Sequence, residues 1–474
     1  MATTTNRGRP LWTFVITGIA LFMVSLDSLV VTNALPSIRR DLGTGLEGLE
    51  WTVNAYTLTF AVCLLTGAAL GDRYGRRRLL LAGLTVFTAS SAVAALAPNI
   101  GVLVAARAVQ GLGAAVVTPL TLTLLAGAVP RERRGLAFGA WSAMSGLAVA
   151  LGPVIGGAIT EGASWQWIFW INVPIGALLL PLAALKLAES RGPAARLDLV
   201  GTALATAGLF GVVLGLVRGN GHGWTSPTVL AGLAGGAALL VAFVAWERRA
   251  SAPALPLRMF ASRGFTATNV AALAMSFGMF GSVFLLAQFL QGVQGYSPLE
   301  AGLRTLPWTA MPVFAAPLAG AISDRVGPHR LVIAGLVLQA AGLAWVATVT
   351  TVDVSYPALI PGFVLAGTGM GLFFAPVARL VLGFVEPALE GAASGASNAV
   401  RQLGTVLGIA VLSSVFSASG GFTSGQAFVD GLLPALWVGC AVLAGAALIG
   451  LIIPAPGSAV AEPAAERAPV LAAA

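Results

Sequence analysis

Long apolar runs recur along the whole chain, and short polar segments separate them. A helix that crosses a bilayer needs about 20 mainly apolar residues, because each residue rises about 1.5 Å along the helix axis. Fourteen runs have about that length: 11–36, 51–71, 79–98, 101–127, 135–160, 165–187, 199–217, 228–246, 265–291, 301–322, 331–351, 357–382, 392–416 and 430–453. The pattern therefore predicts an all-α membrane protein with fourteen spans.

The composition agrees with this interpretation. Of the 474 residues, 57% are hydrophobic and 9% are charged, whereas a soluble domain carries about 25% charged residues. The net charge of +8 could indicate a nucleic-acid partner. The basic residues, however, form short clusters between the apolar runs, which is typical of membrane topology. We therefore expect the lipid bilayer as a partner and no nucleic acid.

The positions of lysine and arginine indicate the orientation, because cytoplasmic loops retain positive charge. An even number of spans places both termini on the same side of the membrane. With cytoplasmic termini, four of the 26 Lys and Arg residues lie in outer loops, two lie within spans and the remaining 20 face the cytoplasm. The sequence thus predicts a multi-pass protein of the cell (inner) membrane with both termini cytoplasmic.

Two polar loops repeat at an interval of 252 residues. Residues 71–78 read GDRYGRRR and residues 323–330 read SDRVGPHR, so that Asp, Arg, Gly and the final Arg are in register. Because these loops follow spans 2 and 10, the repeat indicates two six-helix halves with spans 7 and 8 between them. We expect a first bundle at 1–190, two linker helices at 191–255, a second bundle at 256–455 and a disordered cytoplasmic tail at 456–474.

The residues that usually hold metals or nucleotides form no recognisable site. Cys63 and Cys440 lie in separate apolar runs, and His222 and His329 have no partners at zinc-ligand spacing. The single lysine, Lys186, is flanked by leucines and does not belong to a phosphate-binding loop. We therefore expect no cofactor and no metal, and an ion gradient as the energy source.

Six segments are similar to motifs of a known family, in the order in which that family has them. They are residues 26–36 (LDSLVVTNALP), 51–56 (WTVNAY), 71–78, 107–115 (RAVQGLGAA), 148–157 (AVALGPVIGG) and 165–174 (WQWIFWINVP). The arrangement resembles the major facilitator superfamily, and within it the fourteen-span drug:proton antiporters, from Trp12 to Ile453. Leu29 stands where that family usually has threonine, and Ala148 stands where it usually has glycine.

This resemblance implies a major facilitator fold of two six-helix bundles plus two extra transmembrane helices. It also implies proton-coupled export of small hydrophobic or amphipathic compounds, such as drugs and antibiotics, by alternating access. We expect a monomer that binds a small-molecule substrate and is not an enzyme. An importer or a lipid flippase on the same fold is the alternative, because fold alone does not set the direction of transport. A membrane enzyme or sensor is the remote alternative.

Asp27 is the only acidic residue that the sequence places well inside a span, and carboxylates in hydrocarbon are usually functional. Arg107 lies in span 4 at a depth that differs from that of Asp27 by only about 3 Å. We predict that Asp27 and Arg107 couple transport to protons, with Gln110 one turn from Arg107 on the same helix face. The alternative is a permanent ion pair that orders the bundle.

Small residues line one face of span 5. Ala148, Gly152 and Gly156 are spaced by four residues, which allows another helix to approach closely. Pro153 lacks a backbone donor and can bend the helix. The resemblance implies a hinge typical of antiporters at Gly152, Pro153, Gly156 and Gly157, whereas tight packing alone is the alternative.

The two repeated loops carry candidate gating residues. Asp72 could cap a facing helix N-terminus, and the neighbouring arginines could hold carbonyl groups or acids of the other half. Contacts of this kind would break and re-form during transport. A positive-inside anchor is the alternative. The predicted gating residues are Asp72, Arg73, Gly75, Arg76, Asp324 and Arg325.

Polar residues within the spans are candidates for a substrate cavity. Each of them could instead make an interhelical hydrogen bond, worth about 0.6 kcal/mol on average. The predicted cavity residues are Asn33, Gln110, Gln288, Gln291, Asn398 and Arg401.

Span 10 adds a structural prediction and a functional one. Ser297 and Glu300 form the pattern of a capping box, with Pro298 at the first helical position. Some members of the family that the chain resembles have an additional acid in this span, but residues 301–322 contain none. This absence argues against a strict preference for multiply charged cations.

Overall fold

The computed structural model describes residues 10–130, 134–192, 198–251, 253, 255–386 and 389–454. Within these residues the chain forms α-helices, one short 3₁₀ helix and no strand. The α-helices are α1 (Pro10–Leu42), α2 (Leu46–Tyr74), α3 (Arg76–Ala95), α4 (Ile100–Ala128), α5 (Arg134–Gly162), α6 (Trp167–Trp170), α7 (Asn172–Lys186), α8 (Leu199–His222), α9 (Pro227–Glu247), α10 (Arg263–Gly292), α11 (Pro298–Thr309), α12 (Met311–Val326), α13 (Pro328–Val349), α14 (Tyr356–Gly383), α15 (Glu390–Ser419) and α16 (Gly425–Gly450). The predicted tail at 456–474 lies outside the described residues.

The described residues contain fourteen segments that are long and apolar enough to cross a membrane, which confirms the predicted number of spans. Twelve spans are single helices, whereas α6 with α7 and α11 with α12 each form one span. The helices extend further into polar sequence than the apolar runs do. For example, α1 continues to Leu42, six residues beyond the predicted end.

Span 10 differs from the single helix that the sequence predicts. It begins with the predicted capping box, in which Ser297 and Glu300 bond each other's backbone N–H groups. It is then interrupted at Ala310, between α11 and α12. Pro312 lacks the N–H group that would continue the helical ladder, which explains the break.

The two halves are built from equivalent loops as well as equivalent helices. Gly75 after α2 has φ +113°, and Gly327 after α12 has φ +92°. The N–H group of Gly75 donates to the carbonyl oxygen of Gly71 at 3.0 Å, and Gly327 donates to the carbonyl oxygen of Ser323 at 3.0 Å. Positive φ strongly favours glycine. The repeated loops therefore share a conformation that requires their common glycine.

The first half contains α1–α7 and the second half contains α10–α16. Within the first half, α1 packs on α5, and α4 packs on both α2 and α3. Within the second half, α10 packs on α15 and α16, and α13 packs on α14. The halves meet along two seams, where α2 packs on α15 and α5 packs on α11.

The two helices between the halves, α8 and α9, pack through small residues. A Cβ atom on Gly236 of α9 would lie 2.6 Å from the backbone nitrogen of Val212 in α8, so the two backbones are in direct contact. In turn, α8 packs on α2 and on α15, where Val213 joins a cluster with Leu58 and Val406. The linker pair thus lies against the α2–α15 seam.

The halves touch at the end of the bundle that carries the turn between α1 and α2, called here the α1–α2 end. The carboxylate of Glu161, on α5, accepts hydrogen bonds from the hydroxyl of Ser297 and from the N–H group of Leu299 at 3.1 Å. The guanidinium of Arg39 lies 3.6 Å from the ring centre of Phe422. These contacts join the two halves, so this end is closed.

Candidate functional site

Asp27 lies at the centre of a buried polar network in the first half. The residue is 1% exposed. Its Oδ1 atom accepts hydrogen bonds from Nδ2 of Asn172 at 2.8 Å and from Nε2 of Gln110 at 2.9 Å. Its Oδ2 atom accepts a hydrogen bond from Nη1 of Arg107. Helices α1, α4 and α7 therefore meet at one carboxylate.

Arg107 is held by further contacts that fix the guanidinium. Its Nη1 atom also donates to Oε1 of Gln110 at 2.7 Å, and its Nε atom donates to the backbone carbonyl of Thr52 at 3.2 Å. The guanidinium carbon lies 4.2 Å from the ring centre of Tyr56. A buried cation is costly unless it is paired and hydrogen-bonded. Here the carboxylate, two oxygens and an aromatic face offset that cost.

Ser91 of α3 closes the network on the side away from Arg107. Its Oγ atom accepts from Nδ2 of Asn172 at 3.1 Å and from Nε2 of Gln110 at 3.3 Å. The same hydroxyl donates to the carbonyl oxygen of Phe169 at 2.9 Å. Both amide groups are thereby oriented with their nitrogen atoms toward Asp27.

The hydrogen bonds indicate the form in which Asp27 is held. An ionised carboxylate only accepts hydrogen bonds, and the three side chains that bond Asp27 here all donate to it. A proton on Oδ2 would occupy the position to which Arg107 donates. This arrangement therefore fits the ionised carboxylate.

Asp27 and the space between the halves lie on opposite sides of α1. Leu29 and Thr32 line a cavity between the halves. Because successive residues of an α-helix are rotated by about 100°, both residues point away from Asp27. One rigid helix therefore connects the buried carboxylate with the cavity.

The cavity is narrow in this closed arrangement, with about 30 Å³ of free space between its walls. Its walls come from α1, α5, α10, α11 and α14 and are mostly apolar. Hydroxyl groups of Thr305 and Thr309 and the indole of Trp308 add polar positions, and Nε1 of Trp308 has no hydrogen-bond partner in the described structure. Such a lining suits a small amphipathic molecule.

The structure places the predicted cavity residues in different surroundings. Asn33 lines the cavity, and its Nδ2 atom donates to the carbonyl oxygen of Pro153 at 2.7 Å. Gln291 donates to the carbonyl oxygen of Asn33 at 2.9 Å, and this hydrogen bond joins the two halves. Gln110 instead belongs to the Asp27 network. Gln288 is buried in α10 and donates to its own helix at Phe284.

The two predicted cavity residues on α15 lie outside the walls of this cavity. Asn398 is exposed and donates to the carbonyl oxygen of Ser394 at 3.1 Å. Arg401 is partly buried and lies against the ring of Phe374. Contact of these side chains with substrate stays a prediction.

The predicted hinge glycines mark close helix approaches. A Cβ atom on Gly152 would lie 2.7 Å from Cβ of Leu29, and one on Gly156 would lie 2.7 Å from the carbonyl oxygen of Val30. Both glycines therefore pack α5 on α1 within the first half. A Cβ atom on Gly157 would lie 2.3 Å from the carbonyl oxygen of Pro298, which belongs to the other half. Gly157 thus lies on the seam.

Pro153 lies where three helices meet. Its carbonyl oxygen accepts the hydrogen bond from Asn33 of α1. A Cβ atom on Gly302 of α11 would lie 2.4 Å from that same oxygen. Close packing is therefore present at all these positions, and bending at Pro153 during transport stays a prediction.

The first of the two loops predicted to gate is tied to its own half. Asp72 and Arg76 form an ion pair at 2.8 Å. The carbonyl oxygen of Asp72 accepts from the N–H group of Gly192 at 3.1 Å, and Arg76 donates its N–H group to Ser190 at 2.9 Å. Arg73 lies near the ring of Tyr74. These contacts hold the segment after α7, whereas the sequence led us to expect contacts with the other half.

In the second repeated loop, Arg325 is exposed at the end of α12. Asp324 lies in the same helix, and its side chain is outside the described part of the structure. Gating by either loop stays a prediction.

Asn172 was not identified from the sequence as a site residue, although it bonds Asp27 directly. It lies in the segment WQWIFWINVP, where its partners come from helices far away in the sequence. The signal that could have identified it is the same one that identified Asp27, because polar side chains inside spans are usually paired or functional.

Glu50 is another buried acid, near the start of α2, and the sequence did not single it out. Glu50 is 3% exposed in α2, and its Oε2 atom has no hydrogen-bond partner among the described residues. The predicted span begins at Trp51, but α2 begins at Leu46. Burial of residues 46–50 depends on packing between distant helices, which a local apolar window does not detect.

Comparisons with known proteins agree with the geometry. The sequence profile described as Major Facilitator Superfamily matches residues 17–409. The chain therefore belongs to the Major Facilitator Superfamily, a family of transporters, and it is a multi-pass membrane protein.

Several relatives are similar over most of their length. The chain is 36% identical to multidrug resistance protein Stp of Mycobacterium tuberculosis over 410 residues, which cover 86% of the chain and 76% of Stp. It is 40% identical to cephamycin export protein CmcT of Amycolatopsis lactamdurans, covering 86% of the chain and 84% of CmcT. It is 33% identical to the tetracenomycin C resistance and export protein of Streptomyces glaucescens, covering 95% of the chain and 84% of that protein.

Solved structures of the same fold are more distant in sequence. A D-xylose–proton symporter has a TM-score of 0.68 at 16% identity, with 95% of the chain and 99% of the symporter covered. A bacterial homolog of the human lysosomal transporter Spinster, in an inward-facing and occupied conformation, has a TM-score of 0.67 at 15% identity. The similarity covers 94% of the chain and 97% of the homolog. At these identities the similarity shows the fold alone, and it confirms the predicted major facilitator fold.

Proposed function

We propose that the chain is a proton-coupled secondary transporter that exports small hydrophobic or amphipathic compounds, including antibiotics, by alternating access. The observation that carries this proposal is the buried network around Asp27. In this network Arg107 and Gln110 of α4 and Asn172 of α7 hold an ionisable acid of α1, the helix that also lines the cavity between the halves. The chain would act as a monomer, with a proton gradient as its energy source and without a cofactor.

The mechanism rests on competition between a proton and Arg107 for Oδ2 of Asp27. In the closed arrangement of the α1–α2 end, Arg107 holds the carboxylate and thereby joins α4 to α1. Protonation of Asp27 removes the negative charge that attracts the guanidinium. The link between α1 and α4 then weakens, and α1 can shift. Because α1 also carries Leu29, Thr32 and Asn33, that shift reaches the cavity and the contact with Pro153.

The relatives support the proposed direction of transport, and the charge distribution supports the proposed orientation. Relatives over most of the chain are named for export or for resistance, as in the cephamycin and tetracenomycin C proteins. The excess of Lys and Arg at the end that carries the α2–α3 turn supports a cytoplasmic position for that end and for both termini. The protein would reside in the cell (inner) membrane, and the closed α1–α2 end would face outward.

Transport in proteoliposomes tests this function. Purified protein, inserted with its cytoplasmic face outward, should accumulate a hydrophobic fluorescent dye when the lumen is acidified. Nigericin, which exchanges potassium for protons and dissipates the pH gradient, should stop the accumulation, because proton exit drives dye entry.

Protein-free liposomes and a fluorescent phospholipid serve as controls. Dye uptake that is unchanged by nigericin would contradict proton coupling. Dye leaving an acidified lumen together with protons would indicate an importer, and movement of the phospholipid without the dye would indicate a flippase.

A further inference from the structure

Arg401 is an arginine within a predicted span that has no counter-ion among the described residues. It lies eleven residues into α15, or about 16 Å along a helix of 30 residues. It forms no hydrogen bond through its side chain and no ion pair with any described residue, and its Nε atom is buried without a partner. Arg107, by contrast, is paired with Asp27 and also bonds Gln110 and Thr52. Because an unpaired cation within a span is costly, such a residue usually has a function.

The position of Arg401 connects it with the cavity. Its guanidinium carbon lies 4.9 Å from the ring centre of Phe374 on α14. Phe374 follows Met370 by one helical turn, and Met370 lines the cavity. Phe363, two turns before Met370, lines it as well. Arg401 therefore lies beside the cavity, one turn further toward the end that carries the α2–α3 turn.

The charges around the cavity are not balanced. The residues that line the cavity include no charged side chain. Of the three buried acids among the described residues, Asp27 is held by Arg107, Glu50 lies near the α1–α2 end of α2, and Glu247 ends α9 and accepts a hydrogen bond from the N–H group of Leu255. Beside an uncharged lining, the positive charge of Arg401 favours anions over cations.

We propose that Arg401 forms an anion-binding subsite beside the cavity, which takes the carboxylate or phenolate group of an aromatic substrate. The planar guanidinium can bond a carboxylate through two parallel hydrogen bonds. The apolar body of the substrate would extend past Phe374 into the cavity, where Met370, Phe363 and Trp308 offer apolar and aromatic contact. This inference rests on the proposed function and specifies the class of substrate.

Equilibrium binding of three matched probes tests the subsite. The probes are a coumarin-3-carboxylate, its neutral N-alkyl amide and an amide that ends in a quaternary ammonium, measured by fluorescence anisotropy with the full-length protein in nanodiscs. The native protein should bind the carboxylate tightest and the ammonium weakest. Arg401→Gln should weaken carboxylate binding at least about tenfold, because hydrogen bonds to charged groups are the strong ones. Binding of the neutral amide should stay within about twofold.

Two further variants separate the subsite from a structural role. Arg401→Lys keeps the charge and should retain part of the preference for the carboxylate. Arg263→Gln removes an exposed charge from the same end of the molecule and should change nothing. An equal loss of affinity for all three probes in Arg401→Gln would overturn the proposed subsite. Absence of carboxylate binding by the native protein would overturn it as well. Intact preference without gradient-driven transport would instead overturn the proposed function alone.

Discussion

Asp27→Asn should abolish proton-driven dye accumulation in everted membrane vesicles while the protein still folds. Asparagine has nearly the same shape, and its side-chain oxygen can still accept from Gln110 or Asn172. It has no proton to exchange in the physiological range. Arg107 keeps its bonds to Gln110 and Thr52 and its contact with Tyr56. We therefore expect loss of transport with a stability loss of at most about 3–5 kcal/mol, the cost of breaking a buried pair.

Asp41→Asn is the matched control, because it makes the same change near the end of the same helix. Asp41 is exposed and accepts a hydrogen bond from Nε1 of Trp165 at 2.8 Å, far from the network. This variant should transport normally. Size-exclusion chromatography of both variants checks folding. Normal accumulation by folded Asp27→Asn would remove Asp27 from the mechanism.

Gly157→Ala should trap the transporter with its α1–α2 end open. The added Cβ atom would lie 2.3 Å from the carbonyl oxygen of Pro298, a backbone atom that cannot move aside alone. Overpacking of this kind costs about 1–3 kcal/mol, which shifts a two-state equilibrium about 5- to 150-fold. Because Gly157 contacts the opposite half, each half can still fold. Pulsed electron paramagnetic resonance between spin labels at Ala163 and Thr423 should show a longer distance, and dye transport should fall accordingly.

Two other glycines of α5 make this prediction specific. Gly146 has no atom within 4 Å of an added Cβ, so Gly146→Ala should change neither the distance nor transport. Gly156 packs on Val30 within the first half, so Gly156→Ala should lower thermal stability without favouring the open end. An unchanged label distance in Gly157→Ala would show that the α5–α11 seam does not have to close tightly.

The fold could be predicted from the sequence because membrane spans are local features. A run of about 20 apolar residues specifies a helix regardless of its neighbours, since backbone polar groups in lipid must be satisfied within the segment. The repeated loops then indicated the two halves. The interruption at Ala310 was missed, because Pro307 and Pro312 could each bend or end a helix, and the surrounding packing decides which.

The candidate site could be predicted only in part. Asp27 and Arg107 stand out as rare charges in apolar runs, and their similar depth indicated a contact that the structure contains. Gln110 was expected to face the cavity as well as to share the face of Arg107, and the structure shows the second arrangement. The depth of a residue along its helix does not determine the direction in which its side chain faces. Which side of α4 faces α1 depends on helix packing across the bundle.

Glu50 and Asn172 show the limit of local reasoning. Asn172 follows a run of aromatic residues and carries no charge, so nothing nearby marks it as a partner of Asp27. Glu50 precedes the apolar run and is buried because α2 packs against distant helices. The role of Asn172 depends on a contact between residues 145 positions apart, and the burial of Glu50 depends on packing between different helices.

Proton release on substrate binding tests the central claim most directly. Hydrophobic dye is added to purified protein in weakly buffered detergent solution, and the pH is recorded with a soluble indicator. If a proton and substrate compete through Asp27, the native protein should release protons as the dye binds, and Asp27→Asn should bind the dye and release none. Equal release by both proteins, or dye binding by the native protein without any proton release, would contradict the mechanism.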